Sequence, residues 1–442
     1  MTIPLLLNEY QVRKNAPAGA HDPGMMWDPV TEKYYSYCTD ANGKVLGIDD
    51  HIGIPVRSSP DLVRFSYHGS TLSKKAIRQG RDNGPHFPAT RNFWAPFVEY
   101  TGAEYRMYYS ATRAFGSSES RIWLATASHP LGPFENRGVV ADTWGTDDSF
   151  PNAIDPHIVR AEDRVYLVYG SFFGGIYIKE LDPATGLCMD GEPKNLGQCI
   201  SRRPPLSKLD GPEGAAVIFV RETGWFYLFQ SYGWLGDTYD IRVGRSRSVT
   251  GPYVDREGRC LAGQALGEKL AGSYRFEAAA PSTGSTDPAW EWGGLRGPGH
   301  GVPFFDPKRS AYFFVHHVRD GAMVNCVRDP HSNILSFKRF YMMVRPMFFI
   351  DGWPALSPEP FGGESLEPRS PVSGLWELIR FDSGDNGQKR SEFVELSADH
   401  PLLTGGRLLL CPDLENGGEC LAVTGFDPNG RAYWGKYRPK RT

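Results

Sequence analysis

Five short runs along the chain are dense in aromatic and β-branched residues: Tyr34-Tyr-Ser-Tyr-Cys-Thr39, Tyr105-Arg-Met-Tyr-Tyr-Ser-Ala-Thr112, Tyr166-Leu-Val-Tyr-Gly-Ser-Phe172, Trp225-Phe-Tyr-Leu-Phe-Gln-Ser231 and Tyr312-Phe-Phe-Val-His-His317. They read as central strands. After each comes another strand pattern and then a turn rich in Pro, Gly or Asp: Ser58-Ser-Pro-Asp-Leu62, Ala127-Ser-His-Pro-Leu-Gly-Pro-Phe134, Glu180-Leu-Asp-Pro-Ala-Thr-Gly186, Arg247-Ser-Val-Thr-Gly-Pro-Tyr253 and Val327-Arg-Asp-Pro-His331. Strand, strand, turn, strand in five copies, at spacings too irregular for a solenoid, predicts an all-β fold with radial sheets, a five-bladed β-propeller. From about Pro368 the pattern changes to short strands such as Gly374-Leu-Trp-Glu-Leu-Ile-Arg-Phe381 and Arg407-Leu-Leu-Leu-Cys411 between Gly, Asp and Asn turns. The expected organisation is a propeller over 1–356, a Pro-rich linker over 357–371 and a small β-barrel or β-sandwich over 372–442.

Composition supports the all-β reading, because 13% aromatics with 50 Gly and 35 Pro describe a turn-rich chain that packs large rings. A net charge of -3 without basic runs removes the electrostatic footprint of a nucleic-acid binder. No apolar stretch approaches the roughly 20 residues of a membrane span. The start, Met1-Thr-Ile-Pro-Leu-Leu-Leu-Asn-Glu9, lacks the basic region of a secretory leader. The seven cysteines are scattered, odd in number and without a Cys-x-x-Cys pair, which disfavours structural zinc and favours a reducing compartment, although Cys411 and Cys420 could pair across neighbouring strands. A cytoplasmic location is the favoured expectation from these features, with secretion left open for a chain whose leader has been removed.

The candidate chemistry lies about a dozen residues before each aromatic run. There stand Ala20-His-Asp-Pro23, Phe93-Trp-Ala-Pro96, Ile154-Asp-Pro156, Pro212-Glu-Gly-Ala215 and Gly297-Pro-Gly-His-Gly301. In a propeller the first strand of each sheet lines the axis, so these motifs should converge at one end of the channel. Glycoside hydrolysis needs one protonated and one ionised carboxyl flanking the anomeric centre, and a third negative group can hold the proton on the acid. Asp22, Asp155 and Glu213 supply these groups. A single Asp-Pro is ordinarily a turn former, and Asp28, Asp182, Asp306 and Asp329 keep that reading; recurrence at equivalent positions sets Asp22 and Asp155 apart. Trp94 suits either core packing or stacking on a sugar ring. His300 suits either a core hydrogen bond or, on the axis, a hydrated cation or the acid catalyst. His316 and His317 read as structural, and no Ser/His/Asp or Cys/His nucleophile pattern or phosphate-binding loop stands out.

The order of these motifs resembles glycoside hydrolase family 43. Thr238-Tyr-Asp-Ile-Arg-Val-Gly-Arg-Ser246, Val249-Thr-Gly-Pro-Tyr253, Gly297-Pro-Gly-His300, Val344-Arg-Pro346 and Asp351-Gly-Trp-Pro354 are similar to its endo-1,5-α-L-arabinanases. The resemblance implies an inverting hydrolase acting on α-1,5-linked arabinan or arabino-oligosaccharides. It implies Asp22 as general base, Glu213 as general acid and Asp155 as the residue that raises and orients the acid. It further implies Trp94, Ser171 and Phe172 as substrate-lining positions, and His300 as the protein ligand of a calcium ion otherwise held by water. Phe173 and Gly301 depart from the Trp and Asn common there, and the segment 266–296, with Trp290 and Trp292, is longer than expected. These departures keep open an exo-acting α-L-arabinofuranosidase or β-xylosidase on the same scaffold and, from another class, a non-catalytic sugar-binding propeller.

Overall fold

The aromatic runs form the second strands of successive antiparallel sheets in the computed structural model. It describes residues 20–40, 53–82, 93–146, 150–204, 211–277, 294–320, 340–384, 387–414 and 416–439. The first sheet holds β1 (Gly24–Asp28), β2 (Lys33–Tyr37), β3 (Pro55–Ser59) and β4 (Ser66–Ser70); the second holds β5 (Phe93–Tyr100), β6 (Tyr105–Thr112), β7 (Ser120–Ala127) and β8 (Glu135–Asp142). The third is β9 (His157–Ala161), β10 (Arg164–Tyr169), β11 (Ile176–Leu181) and β12 (Gln198–Ser201); the fourth is β13 (Glu213–Val220), β14 (Trp225–Tyr232), β15 (Asp240–Ser246) and β16 (Glu268–Ala271). A further sheet is built on β17 (Tyr274–Arg275), β18 (Leu295–Asp306), β19 (Ala311–Asp320), β20 (Phe340–Ile350) and β21 (Trp353–Leu356). Asp329, Cys326, Trp290, Trp292, most of the expected insertion and the first 19 residues lie outside the described residues.

Burial on both faces explains why the second strands carry large rings and β-branched residues at successive positions. Side chains alternate across a strand, and in these sheets both faces meet a neighbour. Met107, Tyr109 and Ala111 of β6 pack with Tyr35, Tyr37 and Val56 of the first sheet. Tyr108, on the opposite face, packs with Ile158, Leu167 and Tyr169 of the third. Val159, Tyr166 and Val168 then join Val217 and Leu228 of the fourth sheet, and Tyr227 and Phe229 join Phe314 and Met343. Phe313 and Val315 complete the series by packing with Met25 and Tyr34 of the first sheet. The first strands come together inside this arrangement, β1 beside β5 and β18, β13 beside β9 and β18. The fold is all-β, with four-stranded antiparallel sheets consistent with a propeller.

Among the described residues, helices also occur that the strand pattern did not reveal. The first helix, α1 (Lys74–Arg81), is capped by Ser73 Oγ, which accepts from Ala76 N at 3.0 Å, and buries Ala76 and Gly80. Gly80 is required there, since a Cβ would lie 2.8 Å from the Phe93 ring.

The C-terminal strands β22 (Gly374–Arg380), β23 (Lys389–Arg390), β24 (Glu392–Leu396), β25 (Arg407–Pro412), β26 (Glu419–Phe426) and β27 (Ala432–Tyr437) include a five-stranded sheet in the order β24-β22-β27-β26-β25. A short helix, α2 (Pro401–Thr404), packs on it through Leu402 and Leu403 beside Trp376 and Tyr433. The opposite face contributes Ile379, Phe381 and Trp434 to the cluster of Tyr274, Phe276 and Trp353, while β23 pairs in parallel with β17. The expected linker begins inside this junction, because Ser357 and Glu359 are completely buried. Arg345 crosses it, donating to Ser357 O, Pro358 O, His316 Nε2 and Tyr274 Oη.

A buried ionic group holds the same junction. Lys436 pairs with Glu359 and, at 3.3 Å, with Asp413, while Arg438 bridges Asp413 and Glu377. Removing the cation of such a group leaves buried carboxylates uncompensated, so Lys436→Met is expected to lower stability by about 3–5 kcal/mol. The measurement is a denaturant or thermal melt. A melt unchanged from that of the parent chain would mean that solvent reaches these carboxylates.

Candidate active site

Each polar motif enters its first strand through a residue in the left-handed region: Asp22 (φ 46), Ala95 (φ 44), Asp155 (φ 61), Gly214 (φ 59) and His300 (φ 47). For a residue with a Cβ this costs on the order of 1–3 kcal/mol and persists only where the surroundings fix it. The fixing groups are side chains from neighbouring sheets. The N–H of Ala95 donates to Thr39 Oγ1 at 2.8 Å, that of Asp155 to Ser110 Oγ at 3.1 Å, and that of His300 to Ser231 Oγ at 3.0 Å. Asp22 N lies 3.3 Å from His317 Nδ1, and Gly214 N donates to Asp155 Oδ2 at 3.0 Å. Every motif is thus aimed by the adjacent sheet.

Glu213 stands one residue before its left-handed position, so the fourth motif differs from those of Asp22 and Asp155. Gly214 takes that position because a Cβ would lie 2.9 Å from His300 Cα and 3.0 Å from Cγ. This close approach brings Glu213 and His300 together. His300 Nδ1 in turn lies 3.3 Å from Asp22 Oδ1 and 3.9 Å from Asp155 Oδ2. Four of the five motifs predicted on the axis therefore meet in one place, through Asp22, Asp155, Glu213 and His300.

Their environments drive the carboxyls apart in acidity. Asp22 is surrounded by donors: Thr39 Oγ1 at 2.6 Å and His21 Nδ1 at 2.8 Å. Burial opposes ionisation, yet the fields of His21 and His300 and the hydrogen bond from His21 hold Asp22 well below the usual carboxylate range. Glu213 goes the other way. Burial raises it to about 7, against hydrogen bonds from Tyr239 and Ser171 and with the help of the Asp22 charge. Asp155 is also raised, by burial and by the charges of Glu213 and Asp22, against the hydrogen bond from Gly214 N. Asp155 and Glu213 thus resist joint ionisation, while Asp22 is ionised beside them.

The remaining expected site residues divide. Trp94 is partly exposed and meets the exposed Phe115 edge-on at 6.3 Å, which gives an accessible aromatic pair. Phe172 is partly exposed, with φ 50. Ser171 is buried and hydrogen-bonded to Glu213 Oε2 at 2.9 Å, so it holds the acid where a substrate contact was expected. His316 is structural, its Nε2 bonded by Arg345. His317 corrects the sequence reading, because it stacks on His21 at 4.1 Å and reaches Asp22. Asp28 and Asp306 keep their structural role, tied to Tyr105 Oη at 2.8 Å and Tyr34 Oη at 2.7 Å. Thr39, Ser110, Ser231, His21 and Tyr239 were missed as site residues, although Thr39 and Ser231 end quoted runs and Ser110 lies near the end of another.

A cation can be tested against these donors. With His300 Nδ1 facing carboxylates, its Nε2 is the nitrogen left for a metal, the carboxylate–histidine arrangement that orients metal-bound imidazoles. One imidazole completed by water is compatible with a hard cation. The cluster of His21, Asp22 and His317 fits calcium poorly, being nitrogen-rich where calcium takes six to eight oxygens.

A family model for glycosyl hydrolases of family 43 matches residues 16–354. An extracellular endo-α-(1→5)-L-arabinanase of Thermotoga petrophila is 31% identical over 397 residues, which span 82% of this chain and 76% of that protein. An extracellular endo-α-(1→5)-L-arabinanase of Bacillus subtilis is 29% identical over 343 residues, 70% of this chain and 66% of that protein. The crystal structure of an endo-1,5-α-L-arabinanase from Thermotoga petrophila superposes with a TM-score of 0.75 at 24% identity, covering 95% of this chain and 98% of that one, which supports the fold. That these relatives are extracellular overturns the cytoplasmic expectation. The cysteines were a poor guide to compartment, because Cys38, Cys188, Cys411 and Cys420 are buried, and burial pushes the Cys38 and Cys188 thiols up and away from reactivity.

Proposed function

Because the chain belongs to glycosyl hydrolase family 43, we propose that this glycoside hydrolase cleaves α-1,5-L-arabinofuranosidic linkages in arabinan or arabino-oligosaccharides. The observation that carries the reading is the opposed tuning of two carboxyls in one site, Asp22 held ionised and Glu213 raised to about 7. Glu213 gives its proton to the departing oxygen, and Asp22 takes one from the attacking water. Asp155 orients the acid through its hydrogen bond from Gly214, the residue next to Glu213. A water between base and sugar makes the reaction inverting. Trp94 and Phe172 line the sugar path, with Ser171 behind Glu213. His300 would hold a calcium ion completed by water, whose charge would steady the acids around it.

The scaffold we infer is a five-bladed propeller over 1–356, supported by shared clusters between successive sheets, with a linker over 357–371 and a C-terminal β-domain over 372–442. Sugar is the partner this site accommodates.

The test is product analysis on linear arabinan, debranched arabinan and an aryl xyloside, with the anomer followed by proton NMR. Early products should be a range of arabino-oligosaccharides, first released as the β-anomer, with the xyloside untouched. Arabinose alone from the first minutes would make the enzyme exo-acting, as is a Cellvibrio japonicus relative 32% identical over 222 residues. Release of the α-anomer would contradict inversion.

A further inference from the structure

Behind the base lies a buried arginine that the reaction itself does not use. Arg319, on β19, is 1% exposed, and its Nη2 lies 2.9 Å from His21 Nε2. A guanidinium has five N–H donors and no lone pair, so Nε2 must accept this hydrogen bond. The His21 proton therefore sits on Nδ1, the nitrogen 2.8 Å from Asp22 Oδ2. The ring cannot turn away, because His317 stacks on one face at 4.1 Å and Phe340 meets it edge-on at 4.8 Å.

We propose that Arg319 and His21 form a positioning relay for the general base, in which Arg319 fixes the His21 tautomer so that an N–H, never a lone pair, faces Asp22. This rests on the reading of Asp22 as base. Oδ2 then receives two hydrogen bonds, from His21 and from Thr39 Oγ1 at 2.6 Å, which fix the plane of the carboxylate, while Oδ1 faces His300 Nδ1 and His317 Nδ1 at 3.3 Å each. With the other tautomer, the Nδ1 lone pair would stand against Oδ2 and turn the carboxylate off line. A small misplacement of a reacting group costs up to about 100-fold in rate.

Arg319→Met removes the donor at similar length, and Arg319→Lys retains one. On an arabino-oligosaccharide, R319M should lose about 10- to 100-fold in kcat with KM changed by less than about twofold, and R319K should recover most of the loss. Asn at position 21 offers an amide donor in place of Nδ1 without any tautomer, so R319M should add little further loss in an H21N background. A parent-like kcat in R319M, or full additivity with H21N, would overturn the relay. Should R319M fail to fold, nitrogen-15 NMR of the histidine-labelled parent enzyme decides alone, with His21 assigned by its absence from H21N. A protonated Nδ1 and a bare Nε2 are required, and the reverse sinks the proposal. That spectrum reads the relay whatever Asp22 does, and the activity of Asp22→Ala reads the base whatever tautomer His21 holds.

Discussion

Glu213→Gln should lower kcat on arabinan by about 10²–10⁴-fold, the usual worth of a general acid. The amide keeps the size of the carboxyl and an oxygen for Ser171 Oγ, now 2.9 Å from Glu213 Oε2, so the loss reports the missing proton and not a collapsed site. Two signatures separate this from damage to binding. An aryl arabino-oligosaccharide whose phenolate leaves without protonation should lose far less than arabinan. The pH profile should change as well. Glu213 is raised to about 7 and works in its protonated form, so kcat/KM of the parent enzyme is retained below that pH and falls as pH rises through it. The variant should lack that fall. Equal losses on both substrates, with the fall retained, would assign the proton donor elsewhere.

The strands could be read from sequence for a physical reason. A strand packed on both faces does not alternate exposed polar with buried apolar positions, so Tyr105–Thr112 and its counterparts announce themselves by their density of large rings. The acids could be read because their motifs recur. What could not be read is how the motifs are aimed. Asp22, Asp155 and His300 carry side chains yet adopt φ values that such residues ordinarily avoid, so no propensity points to them. Their fixing groups left a fainter trace. Ser110, Ser231 and His317 stand opposite Trp94, Glu213 and Gly299 in register, near the ends of three aromatic runs, where a hydroxyl or imidazole looks like ordinary strand polarity. The pairing of Arg319 with His21 joins residues 298 apart in the chain, and one sequence offers no signal for it. The C-terminal strands were visible, but their attachment was not. Nothing in the sequence sets Lys436, Glu359 and Asp413 apart, and only the fold places them together inside the junction.

Asp22→Ala should be the more damaging change, because it removes the base and the centre of the local hydrogen bonding together. His21 Nδ1, Thr39 Oγ1 and the rings of His300 and His317 all converge on this carboxylate. Loss of kcat by at least the about 10²–10⁴-fold typical of a general base is expected, on arabinan and on aryl substrates alike, since both need an activated water. That equal loss distinguishes the base from the acid. The space vacated by the carboxylate should admit a small anion, and added azide should restore turnover by attacking the sugar directly and yielding the β-arabinosyl azide. In the parent enzyme Asp22 is ionised throughout the neutral range, because its neighbours hold it well below the usual carboxylate range. The base is lost only as pH falls through that depressed value, so the acid side of the kcat/KM profile should stay flat down to strongly acidic pH. An acid-side fall near the ordinary imidazole range would instead show that a histidine must be neutral for turnover. Near-parent activity in D22A, with its fold verified by melting, would remove Asp22 from the reaction.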